Sequence, residues 1–573
     1  MLRIKYLKTN YIIPTLLKSI VGVFMDVHQI SKAHENEEAE KIGYRSSDFK
    51  WFGESVPACA KAECVMCKNK VDIPISDFIT KGFSTICPQC NRNSLKIYDG
   101  KNWLKFTQLK LWEFDLFSDQ FKMQYIAYDN GNNSRHIIGL KGDQSRGLLA
   151  SRVKNKSELE NSLMHLSGLC YSAANTHELH TRIARHENHI WIDMCDDKWR
   201  AIKITPNEDW KVEEKPPILF RRYDHMKPFT AEQGTKADLD AFLKLINFGG
   251  ENVARQKLLY AGYLATQFLP DIQTALLMPV GPSGSAKSTM SVLTRSVIDP
   301  TTVREITLTK NTDLPMTFMQ HRLPVFGNCG YLTQEQSDMF CNLITGGSIY
   351  KRKLFTDSDS VQWTFMHSTI LNGIAPPSLA PDLMTRTLKF ELDTIPTAFM
   401  RAESDLMKDV DALMPRARGY LMQLVAEALA GPLPPADRMT RLGDFGRIGD
   451  FLTTKMGWER GEFLNAIIDT GIESSQEAVE ADYVGGILLS VLDRKGEWMD
   501  TAGALMDEMV VSGLDPKNTN SPKTTARLSD AVCGRLKPNL ALFGWMVGKK
   551  RVEGKRIICI TKVNQDQQIK DNS

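Results

Sequence analysis

The segment from Thr274 to Val297 places a short apolar strand, a turn rich in glycine and serine, and a helix in direct succession. The turn reads GPSGSAKS at residues 281–288 and matches the pattern G-x-x-x-x-G-K-[ST], except that Ala286 stands at the second glycine. Such a turn curls until its backbone N–H groups converge on phosphate oxygens, and the positive end of the following helix faces the same anion. The sequence therefore predicts a parallel α/β domain around a nucleotide-binding loop. The alternative is an ordinary glycine–serine loop with an unrelated lysine.

The residue types in this turn indicate ATP and Mg²⁺ as cofactors. Lys287 is expected to reach the β- and γ-phosphates, and the Ser288 hydroxyl is expected to hold Mg²⁺. Nucleotide contacts are predicted for the whole turn and the start of its helix: Gly281, Pro282, Ser283, Gly284, Ser285, Ala286, Lys287, Ser288 and Thr289.

ATPases of this class also need an acidic side chain for the magnesium ion at the end of an adjacent strand. The expected strand, RLPVFGN, ends in Gly327 and Asn328, and no Asp or Glu follows until Glu335. Asn328 could accept a hydrogen bond from a metal-bound water but carries no charge. The missing negative charge argues against rapid ATP hydrolysis.

Two further polar residues are candidate catalytic groups, together with Lys287 and Asn328. Asn372 ends the predicted strand STILNGI, where its amide could orient the attacking water, and the alternative is a turn residue before Gly373. Arg386 is a candidate arginine finger that acts on the site of a neighbouring subunit, and the alternative is a surface arginine.

The order GPSGSAKST, LITGGSIYKRKLFTD, STILNGI and DLMTRTLKFEL resembles the superfamily 3 helicase group of AAA+ ATPases. More narrowly, it resembles the poxvirus-type primase-helicase ATPases of phages, plasmids and integrated mobile elements. The flanking segments WIDMCDDKWRAIKIT and RLGDFGRIGDFLTTKMGWERGEFL resemble those of bacterial mobile-element members and extend the resemblance to roughly residues 190–562. The resemblance implies that Asn372 is the sensor asparagine and that Arg386 is the arginine that follows it. It also implies that Lys351, Arg352 and Lys353 form a basic hairpin facing DNA in the channel of a homo-oligomeric ring. Gly327 stands where relatives carry an acidic residue.

Four cysteines form a zinc-ribbon pattern near the start of the chain. Cys64-x2-Cys67 and Cys87-x2-Cys90 are separated by nineteen residues. Two such pairs place four thiolates around a tetrahedral Zn²⁺ ion and leave no open position, which predicts a structural site. The alternative is four reduced cysteines without a metal.

The basic end of the chain predicts a DNA-binding winged helix. Helical patterns at Val484–Leu492, Ala502–Met509 and Thr524–Leu536 precede two β-like runs, Phe543–Val547 and Arg556–Thr561. Residues 515–562 hold eleven Lys or Arg against three Asp or Glu, and such an excess favours a nucleic-acid partner. Contacts to the DNA backbone are predicted for Arg527, Arg535, Lys549, Lys550 and Arg551. A solvated basic face is the alternative.

These patterns predict an α/β multidomain chain. The expected order is a leader or linker at 1–50, a zinc ribbon at 51–100, an α+β accessory domain at 101–235, an AAA+ ATPase core at 236–395, a helical lid at 396–480 and a winged helix at 481–573. The main hypothesis is an ATP-dependent helicase or translocase that replicates a phage or mobile element on single-stranded or forked DNA, with a primase or polymerase as a further partner. The alternative is a nucleotide-binding replication initiator or loader with weak or no hydrolysis.

The distribution of apolar residues and cysteines predicts a reducing compartment and no membrane partner, and the resemblance to bacterial mobile-element proteins implies the bacterial cytoplasm. No run of 18 uncharged apolar residues exists, and the cysteines outside the ribbon are scattered. Residues 1–24 are basic and lack acidic side chains, which fits either a targeting peptide or a start placed before Met25.

Overall fold

The computed structural model describes residues 59–64, 67–74, 88–89, 95–97, 114–129, 135–151, 153, 155–172, 176–308, 314–352, 360–373, 379–436 and 438–562. These residues form two compact units. The first contains the described residues up to His180 together with 196–200 and 214–222, and the second contains 181–195, 201–213 and the described residues from Tyr223 onward. The leader or linker predicted at 1–50 lies outside the described residues, and the other predicted domain boundaries stay predictions.

Antiparallel sheets dominate the first unit. One sheet has the order β2-β1-β3 and consists of Cys59–Cys64 (β1), Lys70–Pro74 (β2) and Leu95–Ile97 (β3). Another has the order β4-β5-β6 and consists of Phe114–Ser118 (β4), Gln124–Asp129 (β5) and Arg135–Gly139 (β6). Helices follow at Asp143–Ala150 (α1) and Lys156–Ser172 (α2), and a parallel pair joins Leu179–His180 (β7) to Leu219–Phe220 (β12).

A buried ion pair holds the core of the first unit together. Arg221 donates to the Asp119 carboxylate and, from Nε, to the Tyr125 hydroxyl at 3.0 Å. The Tyr125 ring stacks on Phe117 with 5.6 Å between ring centroids. Because a buried charge is costly unless it is paired, this network fixes how residues 214–222 pack against β4 and β5.

An antiparallel sheet opens the second unit. Its order is β11-β10-β9-β8, with strands Ile183–His186 (β8), His189–Asp193 (β9), Ala201–Ile204 (β10) and Lys211–Glu213 (β11). The fully buried Arg182 donates to Asp299 at 3.2 Å and to the carbonyl oxygen of Asp193 at 3.2 Å. These bonds tie the start of this sheet to the segment that follows the helix Lys287–Ile298.

A parallel sheet forms the centre of the second unit and confirms the predicted α/β class. It has the order β14-β15-β18-β13-β19, and its strands are Leu276–Val280 (β13), Ile306–Thr307 (β14), Val325–Gly327 (β15), Ile370–Leu371 (β18) and Thr387–Glu391 (β19). Every residue of β13 is buried, as expected for an apolar strand covered on both faces. The surrounding helices are Lys236–Leu243 (α3), Val253–Thr266 (α4), Lys287–Ile298 (α5), Leu314–Gln320 (α6), Gln334–Thr345 (α7) and Pro381–Met384 (α8).

A hairpin and a helical group accompany the parallel sheet. The hairpin pairs Ser348–Arg352 (β16) with Ser360–Thr364 (β17), and the helices are Glu403–Ala428 (α9), Gly443–Lys455 (α10) and Glu462–Ala481 (α11). The ring of Phe463 on α11 packs between Gly262 of α4 and Gly449 of α10. A Cβ added at either glycine would lie 2.3 Å or 2.2 Å from this ring, so the two helices approach it too closely for any larger residue.

The C-terminal part packs helices against a small antiparallel sheet. The helices are Tyr483–Lys495 (α12), Ala502–Val511 (α13), Thr525–Asp530 (α14) and Lys537–Leu542 (α15), with a π-helical turn at Ala531–Arg535. The sheet has the order β20-β22-β21, with strands Trp498–Thr501 (β20), Trp545–Val552 (β21) and Lys555–Lys562 (β22). Leu488, Leu505, Leu528, Val532 and Leu540 meet in its core.

The predicted elements of this part differ from the observed ones in two places. The helix predicted over Thr524–Leu536 is observed over Thr525–Arg535, but only its first part, α14, is α-helical, and Ala531–Arg535 forms a π-helical turn. A new helix then begins at Lys537, since Pro538 has no N–H to donate and is tolerated in a first helical turn. Strand β20 was not predicted. Among the described residues, every helix is too short or too polar to cross a bilayer.

Candidate nucleotide-binding site

The turn between β13 and α5 has the backbone shape that its glycines predict. A Cβ on Gly281 would lie 2.3 Å from the Leu392 carbonyl oxygen, so only glycine fits at the start of the turn. Gly284 adopts a φ of +78°, which is also readily accessible only to glycine. Ala286, at the departure from the motif, adopts a left-handed conformation with φ 67° and ψ 30° immediately before α5. The methyl group therefore does not prevent the turn, although this conformation costs an alanine about 1–2 kcal/mol.

Lys287 points its ammonium group back into the turn. Nζ donates to the carbonyl oxygens of Gly281 and Pro282, each at 2.7 Å. Burial of the side chain lowers the pKa of Lys287 below its usual value. The positive charge is thus held at the concave side of the loop, where an incoming phosphate group would offer it stronger partners than two neutral carbonyls.

Asn372 lies at the carboxyl end of β18 and bridges two residues of the site. Its Nδ2 donates to the Ser288 hydroxyl at 3.0 Å and to Glu305 Oε1 at 2.7 Å. Asn372 is only 4% exposed, so its amide is held in place by packing. The structure therefore brings Lys287, Ser288 and Asn372 together at one edge of the parallel sheet, as the sequence predicted from the ends of their strands.

Glu305 is the residue of this site that sequence reasoning missed. It directly precedes β14, and its carboxylate lies beside Gly327 at the end of β15. A Cβ added at Gly327 would lie 2.4 Å from Glu305 Oε2. The space where an acidic side chain was expected on β15 is therefore already occupied by a carboxylate from the neighbouring chain segment. The two residues of β14 show no strand pattern in the sequence, so no sequence signal pointed to Glu305.

The other residues near the expected acid lie in exposed positions. Asn328 follows β15 with a φ of 56°, and its side chain faces solvent. Glu335 is exposed in the first turn of α7. The roles suggested for these two side chains stay predictions.

Arg386 lies at the end of the sheet opposite the turn. It directly precedes Thr387, which pairs with Leu276 at the start of β13, whereas the turn follows the far end of that strand. At about 3.3 Å per residue, a five-residue strand separates Arg386 from the loop of its own subunit by more than about 10 Å. Its Nη1 donates to the Asp382 carbonyl oxygen at 2.8 Å and to the Asp382 carboxylate, which also accepts from Arg441.

The candidate DNA-binding residues lie on two hairpins and one helical segment. Lys351 and Arg352 end strand β16, and Lys353 lies outside the described residues. Strand β21 carries a second basic group that is exposed to solvent: Lys549, Lys550 and Arg551. Arg527 is exposed on α14, and Arg535 is exposed but bonded through Nη2 to Asp482 Oδ1 at 3.2 Å.

The first two cysteines of the predicted zinc ribbon lie around the turn between β1 and β2. The Cys67 N–H donates to Cys64 Sγ at 3.3 Å. Cys87 and Cys90 lie outside the described residues, so the Zn²⁺ site stays a prediction. Within the part of the chain that the structure describes, no group of three or more His, Cys, Asp or Glu side chains is placed to hold a metal ion.

Comparison with solved structures finds distant likenesses. SCCmec type IV Cch, described as an active helicase, is similar with a TM-score of 0.40 and 12% identity over 78% of this chain and 93% of that one. The C-terminal region of NrS-1 is similar with a TM-score of 0.36 and 12% identity over 80% of this chain and 98% of that one. No curated protein sequence matches the chain.

Comparison with protein families is more direct. The family described as actinomycete integrative conjugative element replication protein matches residues 239–470, and the AICE RepA C-terminal domain matches residues 484–571. Together the two matches cover more than half of the chain, and they confirm the resemblance to proteins of integrated mobile elements that the motifs predicted. The chain belongs to the replication proteins of actinomycete integrative conjugative elements.

Proposed function

We propose that this replication protein is an ATP-dependent DNA helicase or translocase. The observation that carries the proposal is the convergence of Lys287, Ser288, Asn372 and Glu305 at the carboxyl edge of the parallel sheet. A lysine, a hydroxyl group and a carboxylate at the mouth of a phosphate-binding turn are the groups that a magnesium–ATP complex requires. In an ordinary loop with an unrelated lysine, a buried asparagine would have no reason to connect the Ser288 hydroxyl to the Glu305 carboxylate.

The residues divide the chemistry of ATP hydrolysis among themselves. The backbone N–H groups of the turn and the Lys287 ammonium bind the phosphates. The Ser288 hydroxyl would help to hold Mg²⁺, which would supply charge neutralisation for the transferred phosphoryl group. Asn372 orients the attacking water through its amide oxygen, because its amide nitrogen already donates to Ser288 and Glu305. Oxygen donors of this kind suit a hard cation such as Mg²⁺.

Arg386 acts on the nucleotide of an adjacent subunit in a homo-oligomeric ring. Its position at the far end of the sheet separates it from the turn of its own chain, as described above. A head-to-tail ring brings the far edge of one subunit against the near edge of the next. The Asp382 carboxylate holds the guanidinium in one orientation until a phosphate group replaces it.

DNA binding involves two basic hairpins. The β16–β17 hairpin carries Lys351 and Arg352 and is suited to the channel of the ring. The helices and sheet of the C-terminal part form a winged helix whose wing is the β21–β22 hairpin, with its tight turn at Glu553 (φ 49°) and Gly554 (φ 77°). Lys549, Lys550 and Arg551 follow the sugar-phosphate backbone along this wing.

ATP turnover with and without DNA tests the proposed function. Wild-type protein is expected to hydrolyse ATP, to do so faster with single-stranded DNA, and to unwind a forked duplex. Nucleotide binding with no turnover under any DNA condition would instead support the replication initiator or loader. The absence of a carboxylate on β15 motivates that second candidate, and Glu305 is the observation against it.

Replacement of Lys549, Lys550 and Arg551 by alanine is expected to weaken single-stranded DNA binding. Each phosphate contact to a single strand contributes about 0.7 to the slope of log affinity against log salt, so three lost contacts lower the slope by about 2. Affinity measured by fluorescence anisotropy at several salt concentrations gives this slope.

The matched control removes three exposed lysines from elsewhere in the second unit. The triple variant Lys211→Ala, Lys244→Ala and Lys408→Ala changes the net charge by the same amount. A salt slope that falls equally in both triple variants would show that the wing makes no specific contribution.

A further inference from the structure

We infer that Glu305 supplies the magnesium-binding carboxylate of this ATPase, and that Gly327 is a glycine because it leaves room for that side chain. The inference rests on the proposed function and deepens it by naming the acid that β15 lacks. The active site then keeps its negative charge, which comes from the segment before β14 instead of from β15.

The Glu305 carboxylate lies close to the Ser288 hydroxyl. One nitrogen, Asn372 Nδ2, lies 3.0 Å from the Ser288 hydroxyl oxygen and 2.7 Å from Glu305 Oε1. The two oxygens therefore cannot be farther apart than the sum of these distances, which is under about 6 Å. Magnesium keeps several bound waters and contacts few protein oxygens directly, so a hydroxyl and a carboxylate at this separation can share one hydrated ion.

The Glu305 side chain occupies the space beside Gly327. A Cβ at position 327 would lie 2.4 Å from Glu305 Oε2 and 3.2 Å from the Glu305 Cβ. The first distance is far below a normal van der Waals contact, so a side chain at position 327 would require the Glu305 carboxylate to move from its position beside β15. The glycine is thus the complement of the glutamate and does not mark a lost charge.

Helix α5 fixes the backbone next to Glu305. Arg295, on the same helix as Lys287 and Ser288, donates from Nη2 to the carbonyl oxygen of Arg304 at 2.7 Å. Arg295 is only 2% exposed, and burial lowers its pKa to about 10, which leaves it charged at neutral pH. The helix that carries the phosphate-binding residues therefore also anchors the backbone next to Glu305, and a fixed carboxylate binds a cation with less ordering cost.

The test compares metal binding in the wild type and in Glu305→Gln, which keeps the shape and removes the charge. Mn²⁺ replaces Mg²⁺, and its affinity for the ATP-loaded protein is measured by electron paramagnetic resonance. We expect metal affinity to fall about 10–100-fold, as is typical when a supporting group of a metal site is lost. Affinity for a fluorescent ATP analogue in EDTA is expected to match that of the wild type, because this carboxylate does not contact the phosphates. Glu335→Gln, at the other acid near the site, is the control.

Moving the carboxylate from position 305 to position 327 makes the test specific to Glu305. Gly327→Asp alone is expected to weaken Mn²⁺ binding, because the new side chain collides with Glu305. The double variant Glu305→Ala, Gly327→Asp is expected to recover metal affinity to within about tenfold of the wild type. Thermal melting checks that each variant is folded.

The outcomes separate this inference from the proposed function. Wild-type Mn²⁺ affinity in Glu305→Gln, or a loss in Glu335→Gln in its place, would overturn the role of Glu305 while nucleotide binding and turnover stand. Stronger metal binding in Gly327→Asp with Glu305 still present would overturn it as well. Failure of the wild-type protein to bind the ATP analogue at all would overturn both proposals.

Discussion

Lys287→Ala is expected to lower the ATPase rate by about 100–1000-fold, the usual cost of removing one donor that stabilises developing charge. The Nζ atom is held against the turn by two carbonyl oxygens, so its charge is already placed where the phosphates would bind in the proposed site. The measurement is the steady-state rate at saturating ATP with single-stranded DNA. Unwinding of a forked duplex is expected to disappear with it.

An exposed lysine provides the control for this loss. Lys244 directly follows α3 and faces solvent, so Lys244→Ala removes the same charge from the surface of the same unit. Its ATPase rate is expected to stay within about twofold of the wild type, as for most surface substitutions. Full activity of Lys287→Ala would mean that the turn does not bind a nucleotide productively.

Arg386→Ala is expected to reduce ATPase activity by about 10³-fold, the lower end of what arginine fingers contribute. The variant should remain folded, because the Asp382 carboxylate that it leaves behind still accepts from Arg441. Arg441→Ala is the matched control, since it removes the other arginine from the same carboxylate. A folded Arg386→Ala protein that keeps its full ATPase rate would contradict a role in catalysis.

Mixing two inactive variants tests whether Arg386 acts between subunits. Lys287→Ala subunits still supply Arg386, and Arg386→Ala subunits still supply a complete turn. In a randomly mixed ring, about a quarter of the interfaces then combine an intact turn with an intact arginine. Activity is expected to rise well above that of either variant alone, whereas a mixture as inactive as its components would place the arginine in its own subunit's site or outside catalysis.

The part of the site that could be predicted from the sequence is the part encoded locally. The turn at 281–288 and the residue after it need only one strand, one glycine pattern and one helix, so their arrangement follows from spacing. Asn372 could also be predicted, because the ends of parallel strands meet at one edge of the sheet. The resemblance to replication ATPases added the roles expected of Asn372 and Arg386.

Glu305 could not be predicted in the same way, because its contacts depend on long-range packing. Asn372 and Glu305 are 67 residues apart in the chain, and β14 has only two residues, too few to show an alternating pattern. Gly327 was consequently interpreted as a lost acid, since the sequence alone does not show what fills the space beside it. The same limit applies to Arg535, whose partner Asp482 is 53 residues away.

The ring of Phe463, held between Gly262 and Gly449, has a mechanical consequence. Close-packed contacts of this kind leave little room for sliding, so α4, α10 and α11 are expected to move as one rigid body. Any conformational change of the second unit then has to occur at hinges outside these three helices. Enlarging either glycine would push its helix away from the Phe463 ring and allow the three helices to move separately.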